Sequence, residues 1–228
     1  METVMTPAEL ALFIDHTLLA PEATRADLQK LCEEATTFAV AAICVSPTLL
    51  PLDPGQLPDT IATACVVGFP SGAHFPFVKA TEALQAYEHG ADEIDMVLNL
   101  GNVRSENWAG VRDDIAAVRM AIPDAVVLKV IIESAVLTDV EIVECCTIAV
   151  DAGAQFVKTS TGFHKAGGAT TKAVQLMRQA VGPNIGVKAS GGIRSFSEAM
   201  AMIDAGASRI GASATAAILA GAQDEMHR

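Results

Sequence analysis

The sequence is short of positive charge. Its 15 Lys and Arg residues face 27 Asp and Glu, a net charge of −12. An acidic chain with no basic stripe is a poor match for nucleic-acid binding, and the simplest reading of the acidity is solubility. A basic-then-apolar leader is also missing, so no signal peptide is read and a cytoplasmic location is expected. The longest charge-free runs, Ala35–Leu52 and Thr60–Val78, are interrupted by prolines. They read as buried strands with loops, not as membrane helices.

Metal and disulfide patterns are lacking too. The five cysteines (Cys32, Cys44, Cys65, Cys145 and Cys146) are odd in number and match no zinc or redox spacing, which leaves reduced thiols as the simplest reading. His16, His74, His89, His164 and His227 show no ligand spacing. No metal and no cofactor are therefore expected, and His16, beside Asp15, is assigned to a polar network under the active site. Aromatic residues make up only 4% of the chain, but 51% is hydrophobic. Over 228 residues that is enough for one core, and residues 1–228 read as a single domain.

What is present is an alternation of short apolar strands with amphipathic helices. Eight strands are expected: Leu12–Thr17, Val40–Val45, Thr63–Gly68, Glu93–Leu98, Val126–Ile132, Gln155–Thr159, Gly186–Ala189 and Arg209–Ala212. Most are near-continuous Val, Ile and Ala runs, as parallel strands covered on both faces should be. Helix starts are marked by Thr138 with Glu141, Ser195 with Glu198 and, more weakly, Thr24 with Asp27. Within the helix after Thr138, residues Val143, Cys146, Thr147 and Val150 share one face. Gly90-Ala91, Gly153-Ala154 and Gly206-Ala207 each end a helix and lead into a strand, an internal αβ repeat with glycine at the C-cap. Residues 47–60 hold four prolines, so any helix there is very short. The pattern predicts a (β/α)8 barrel. The rival, a doubly wound open sheet, usually has a glycine-rich turn after its first strand; here that strand ends in Asp15-His16-Thr17-Leu18-Leu19.

Two strands carry interior lysines. In Phe156-Val157-Lys158-Thr159-Ser160-Thr161-Gly162, residues Phe156, Lys158 and Ser160 share a face. One unit later, Val187-Lys188-Ala189-Ser190-Gly191-Gly192 repeats the pattern. A lone strand-end lysine is readily explained by snorkelling to water; a matched pair on neighbouring strands is not. Other polar groups expected at strand ends are Asp15, Thr17, Cys44, Asp95, Asn99, Lys129, Glu133, Ser160, Ser190 and Ser213, which gather on the barrel's active rim.

A lysine attacks a carbonyl only as the free amine, about 0.04% of the total at pH 7 for an ordinary pKa of ~10.4. Desolvation and a neighbouring cation both raise that fraction. Lys188 is placed to be the cation for Lys158, and Asp95 to offset the remaining charge and move protons. Gly191-Gly192 before a helix, and the turn at Gly211-Ala212-Ser213, fall where barrels commonly hold phosphate. Cys44 is either a small apolar strand residue or a thiol near the pocket open to electrophilic aldehydes.

These motifs, together with Phe13-Ile14-Asp15-His16-Thr17-Leu18-Leu19, Val67-Gly68-Phe69-Pro70, Glu93-Ile94-Asp95-Met96-Val97 and Leu128-Lys129-Val130-Ile131-Ile132-Glu133, span nearly the whole chain. They closely resemble the deoxyribose-phosphate aldolases, class I (Schiff-base) enzymes on a (β/α)8 barrel. The resemblance implies reversible cleavage of 2-deoxy-D-ribose 5-phosphate to acetaldehyde and D-glyceraldehyde 3-phosphate. Lys158 then forms the imine, while Asp95 and Lys188 relay protons. Gly162, Gly191, Gly192 and Ser213 hold the phosphate, and Lys129, Asp15 and Cys44 lie behind the catalytic groups. Phe163, Ala214 and Ala20 stand where family members often have lysine, serine and lysine, so a weaker hold on phosphate is expected. The proline-rich 47–60 segment is also shorter than usual. A homodimer acting on a small molecule is expected, without a nucleic-acid or membrane partner. An isomerase or synthase on the same barrel, or a non-catalytic sugar-phosphate binder, would account for the phosphate loops but leave the two lysines without matched work.

Overall fold

A computed structural model describes residues 5–227. Eight parallel strands form a closed barrel in chain order: β1 (Ile14–Leu18), β2 (Ala42–Val45), β3 (Ala62–Val67), β4 (Glu93–Val97), β5 (Val127–Ile131), β6 (Phe156–Lys158), β7 (Gly186–Ser190) and β8 (Arg209–Ala212). The barrel closes where Ile14 lies opposite Ile210 and Asp15 opposite Gly211, which removes the open-sheet alternative. All eight expected strands are present, with ends moved by at most two residues. Their apolar runs are buried because helices cover the outside and side chains fill the inside.

The described helices are α1 (Pro7–Ala11), α2 (Arg25–Phe38), α3 (Pro76–Glu88), α4 (Leu100–Arg104), α5 (Trp108–Ala121), α6 (Asp139–Asp151), α7 (Thr171–Val181), α8 (Phe196–Asp204) and α9 (Thr215–Met226). Between β2 and β3 only a 3-10 turn, Pro47–Leu49, remains. Capping boxes form at Thr24, Thr138 and Ser195, and a fourth forms at Thr6. None of these helices is long and apolar enough to cross a membrane.

The glycine repeat has a common geometry. Gly90, Gly153 and Gly206 have φ of 93°, 91° and 111°. The following alanine donates back to the carbonyl five residues earlier: Ala91 to Ala86, Ala154 to Ala149 and Ala207 to Met202. This is the Schellman closure, which aims the chain from helix into strand. α2 ends the same way, with Val40 donating to Ala35, but Ala39 occupies the left-handed position at φ 53°.

On α6 the buried face is rotated from the one expected. Ile142, Cys145, Cys146 and Ala149 pack inward, whereas Val143 and Thr147 are exposed. The sheet below offers contact on the Ile142 side, and the helix turns its larger apolar surface there.

Inside the barrel the two halves differ. β2 and β3 contribute a small apolar patch, Cys44, Ala64 and Val66. The remaining strands contribute charge.

Candidate active site

Strand alternation sends Asp15, Asp95, Lys129, Lys158 and Lys188 into the barrel, where each is almost wholly buried. Asp95 is the hub. Its Oδ1 accepts from Lys129 Nζ at 2.7 Å, and its Oδ2 accepts from both Lys158 Nζ and Lys188 Nζ at 2.7 Å each. Lys188 also bonds Asp15, and Lys129 bonds Glu93. Towards the N-terminal end of the strands, Arg209 donates to Asp15 Oδ1 at 2.7 Å and lies 5.6 Å from the centroid of the Phe156 ring. Gly186 makes room for that ring, since a Cβ there would sit 2.1 Å from it.

Charge state follows from this wiring. Burial alone would discharge Asp95, but Lys129, Lys158 and Lys188 hold its carboxyl well below the usual range. Burial also works against Asp15, and Lys188, Lys129 and Arg209 overcome it, bringing the carboxyl down to about 2. Lys188 loses solvation, yet Asp15 and Asp95 keep its ammonium well above the ordinary lysine value. Lys129 is raised in the same manner, burial being outweighed chiefly by Asp95.

Above these groups a cleft of about 470 Å³ opens at the C-terminal ends of the strands. Lys158, the last residue of β6, lines it, as do Gly162, Phe163, Gly191, Gly192, Arg194 and Ser213. Lys188 does not; it lies below, fully buried. The two lysines are opposite each other in register.

The cleft walls are held by close backbone contacts. Gly162 and Gly191 have φ of 82° and 91°, and a Cβ on Gly168 would fall 2.0 Å from the Gly191 carbonyl oxygen. Buried Glu133 accepts from the Thr161 backbone N–H and hydroxyl, and Phe163 packs edge-on against Phe69 at 5.2 Å.

Several expectations are corrected. The glycine pair does not open a helix: α8 starts at Phe196, and Glu198 already accepts from the N–H groups of Arg194 and Ser195. Of the two candidate helix ends, α9 is the one without a side-chain cap, and Ser213 lies just before it. His16 is not under the active site. Adjacent strand residues point to opposite faces, so with Asp15 inward, His16 points outward to Glu34 and Thr215. Asn99 caps α4 and contributes no side-chain contact to the lysine cluster. Cys44 is fully buried, and burial pushes its thiol up.

Sequence reasoning missed Glu93, Arg209 and Gly168. For the first two a signal existed: each lies two residues before an inward position, Asp95 or Gly211, on the same strand face.

A closed parallel barrel with a lysine at its mouth and a lysine–aspartate cluster behind it has the architecture of the barrel aldolases. The model of the DeoC/LacD family aldolases matches residues 9–221, and the chain belongs to that family; it is an aldolase, a lyase. It is 54% identical over 218 residues to the deoxyribose-phosphate aldolase of Kocuria rhizophila, covering 96% of this chain and 99% of that one. Its identity to the Mycolicibacterium paratuberculosis enzyme of the same name is also 54%, over 95% and 99%. Among solved structures, the tetrameric deoxyribose phosphate aldolase of Aeropyrum pernix superposes with a TM-score of 0.87 at 32% identity, over 96% of this chain and 93% of that one.

Proposed function

We propose that the chain cleaves 2-deoxy-D-ribose 5-phosphate reversibly to acetaldehyde and D-glyceraldehyde 3-phosphate through a Schiff base on Lys158. The observation that carries this reading is the shared Asp95 oxygen, 2.7 Å from Lys158 at the cleft and from Lys188 below it. The names of the relatives supply the substrate.

Lys158 Nζ adds to the C1 aldehyde of the open-chain sugar, and loss of water leaves an iminium. A base takes the proton of the C3 hydroxyl. The C2–C3 bond breaks, its electron pair enters the iminium to give an enamine, and C3 departs as the aldehyde of glyceraldehyde 3-phosphate. Protonation at C2 and hydrolysis release acetaldehyde and the free amine. Asp95 and Lys188 act as the proton-relay pair for these transfers. With Lys158 as the free amine, three cations (Lys129, Lys188, Arg209) and three carboxylates (Asp15, Glu93, Asp95) remain in the barrel and cancel. Lys129, Asp15 and Glu93 hold the charge pattern from behind, and Cys44 fills the apolar half.

The substrate phosphate is assigned to Gly162, Gly191, Gly192 and Ser213. Left-handed glycines let backbone N–H groups approach an anion closely, and the uncapped start of α9 favours negative charge. Exposed Phe75 and Phe77, stacked at 5.9 Å, support assembly as a homodimer, and five free buried cysteines suit a cytoplasmic enzyme. Incubation with 2-deoxyribose 5-phosphate tests the reaction: acetaldehyde and glyceraldehyde 3-phosphate should appear in equal amounts. Formation of an isomeric sugar phosphate without acetaldehyde would reject it.

A further inference from the structure

The reading of Ser213 and the α9 entrance as a phosphate site leaves unexplained how that entrance is fixed. Neighbouring α8 secures its start with its own Ser195–Glu198 box, whereas α9 starts at Ala214 and Thr215 with no side-chain cap. The Thr215 hydroxyl turns instead to His16, with Oγ1 2.8 Å from Nδ1. On the ring's other side Nε2 is 2.9 Å from Glu34 Oε2 on α2. Thr215 is fully buried, His16 nearly so, and the Phe38 ring meets the imidazole edge-on at 6.3 Å.

A neutral imidazole has one donor and one acceptor nitrogen. In the tautomer with the proton on Nε2, that nitrogen donates to the Glu34 carboxylate and Nδ1 accepts from the Thr215 hydroxyl. His16 lies opposite Ala212 in the β1–β8 register, and Ser213 is the next residue. The Glu34–His16–Thr215 chain therefore runs from α2, across β1, to the residue two beyond Ser213.

We propose that His16 is a positioning residue for phosphate recognition: its bond to Thr215 holds the start of α9, and with it Ser213, at the cleft. This rests on the phosphate assignment made above. His16 touches neither the lysine cluster nor the cleft, so its effect falls on the phosphate end of the substrate.

Two substitutions at one position separate positioning from mere packing. In His16→Asn the side-chain oxygen takes the place of Nδ1 and keeps Thr215; in His16→Gln the amide reaches as far as Nε2 and keeps Glu34 instead. Each loses one hydrogen bond. The expected result is a KM for 2-deoxyribose 5-phosphate raised about fivefold in His16→Gln, the worth of one typical hydrogen bond, and near wild type in His16→Asn. Neither should change kcat/KM for unphosphorylated 2-deoxyribose. Should His16→Gln fail to fold, Thr215→Val against Thr215→Ser makes the same comparison, the serine restoring the KM. Equal effects of the paired variants on both substrates would overturn the proposal. If the wild-type enzyme handles both sugars alike, the phosphate assignment fails, and the role of His16 with it; if it prefers the phosphate ester and all variants keep that preference, only the role of His16 fails.

Discussion

Lys158 and Lys188 face each other across the β6–β7 register and share a single oxygen, Asp95 Oδ2, at 2.7 Å each. Only Lys158 reaches the cleft. Lys188 is held as a cation by Asp15 and Asp95 in spite of its burial. The proposed reaction gives them different tasks: one bonds the substrate, the other supplies charge and protons.

Replacing Lys188 with methionine keeps much of the volume and removes the cation. Turnover of 2-deoxyribose 5-phosphate should fall on the order of 10²–10⁴-fold, the usual worth of a positioned acid–base group. Steady-state kinetics checks this, with circular dichroism to show that the barrel is intact. A loss under tenfold would remove Lys188 from the relay.

Asp15 links the site to acid stability. Its folded pKa, about 2, is below the unfolded value of ~3.9. Its contribution is therefore fully present above pH ~4 and is lost as the pH falls towards 2, on the order of 2 kcal/mol in all. Urea unfolding of wild type and Asp15→Asn should show the wild-type advantage at pH 7 and its narrowing between pH 4 and pH 2. An advantage that is constant over that range would contradict the assignment.

A further buried ion pair lies outside the site. Lys79 of α3 bonds Asp114 of α5 at 2.7 Å and the Val97 carbonyl at 2.8 Å, and it packs over Gly68 at the end of β3. Burial pushes the lysine down and the carboxyl up. Lys79→Met alone strands Asp114 and should cost about 3–5 kcal/mol; Lys79→Met with Asp114→Leu should recover most of it. Urea midpoints read both.

Much of this was legible in the sequence. The β strands, three capping boxes and the lysine pair are local patterns: runs of branched residues, a threonine or serine three positions before an acid, a repeated register. The Lys79–Asp114 pair is not local. Charges on amphipathic helices usually face water, and only the packing of α3 on α5 brings these two together. His16 is next to Asp15 in sequence but not in the site, because strand alternation sends neighbours to opposite faces. At α8 the capping box legible as Ser195 with Glu198 already takes the N–H groups of Arg194 and Ser195, which narrows the anion site expected there.

Ala39 is the exception in the Schellman series. A non-glycine residue at φ 53° bears a steric cost that glycine avoids, so Ala39→Gly should stabilise the protein by about 0.5–1 kcal/mol. The urea midpoint should rise at constant slope. A lower midpoint would show that the alanine side chain packs better than the strain costs.

The proposed reaction depends on Lys158 being the covalent nucleophile. Borohydride reduction in the presence of 2-deoxyribose 5-phosphate, followed by peptide mass mapping, tests it most directly. One reduced adduct is expected, on Lys158, and it disappears in Lys158→Ala. An adduct on Lys188, or turnover with no adduct at all, would contradict it.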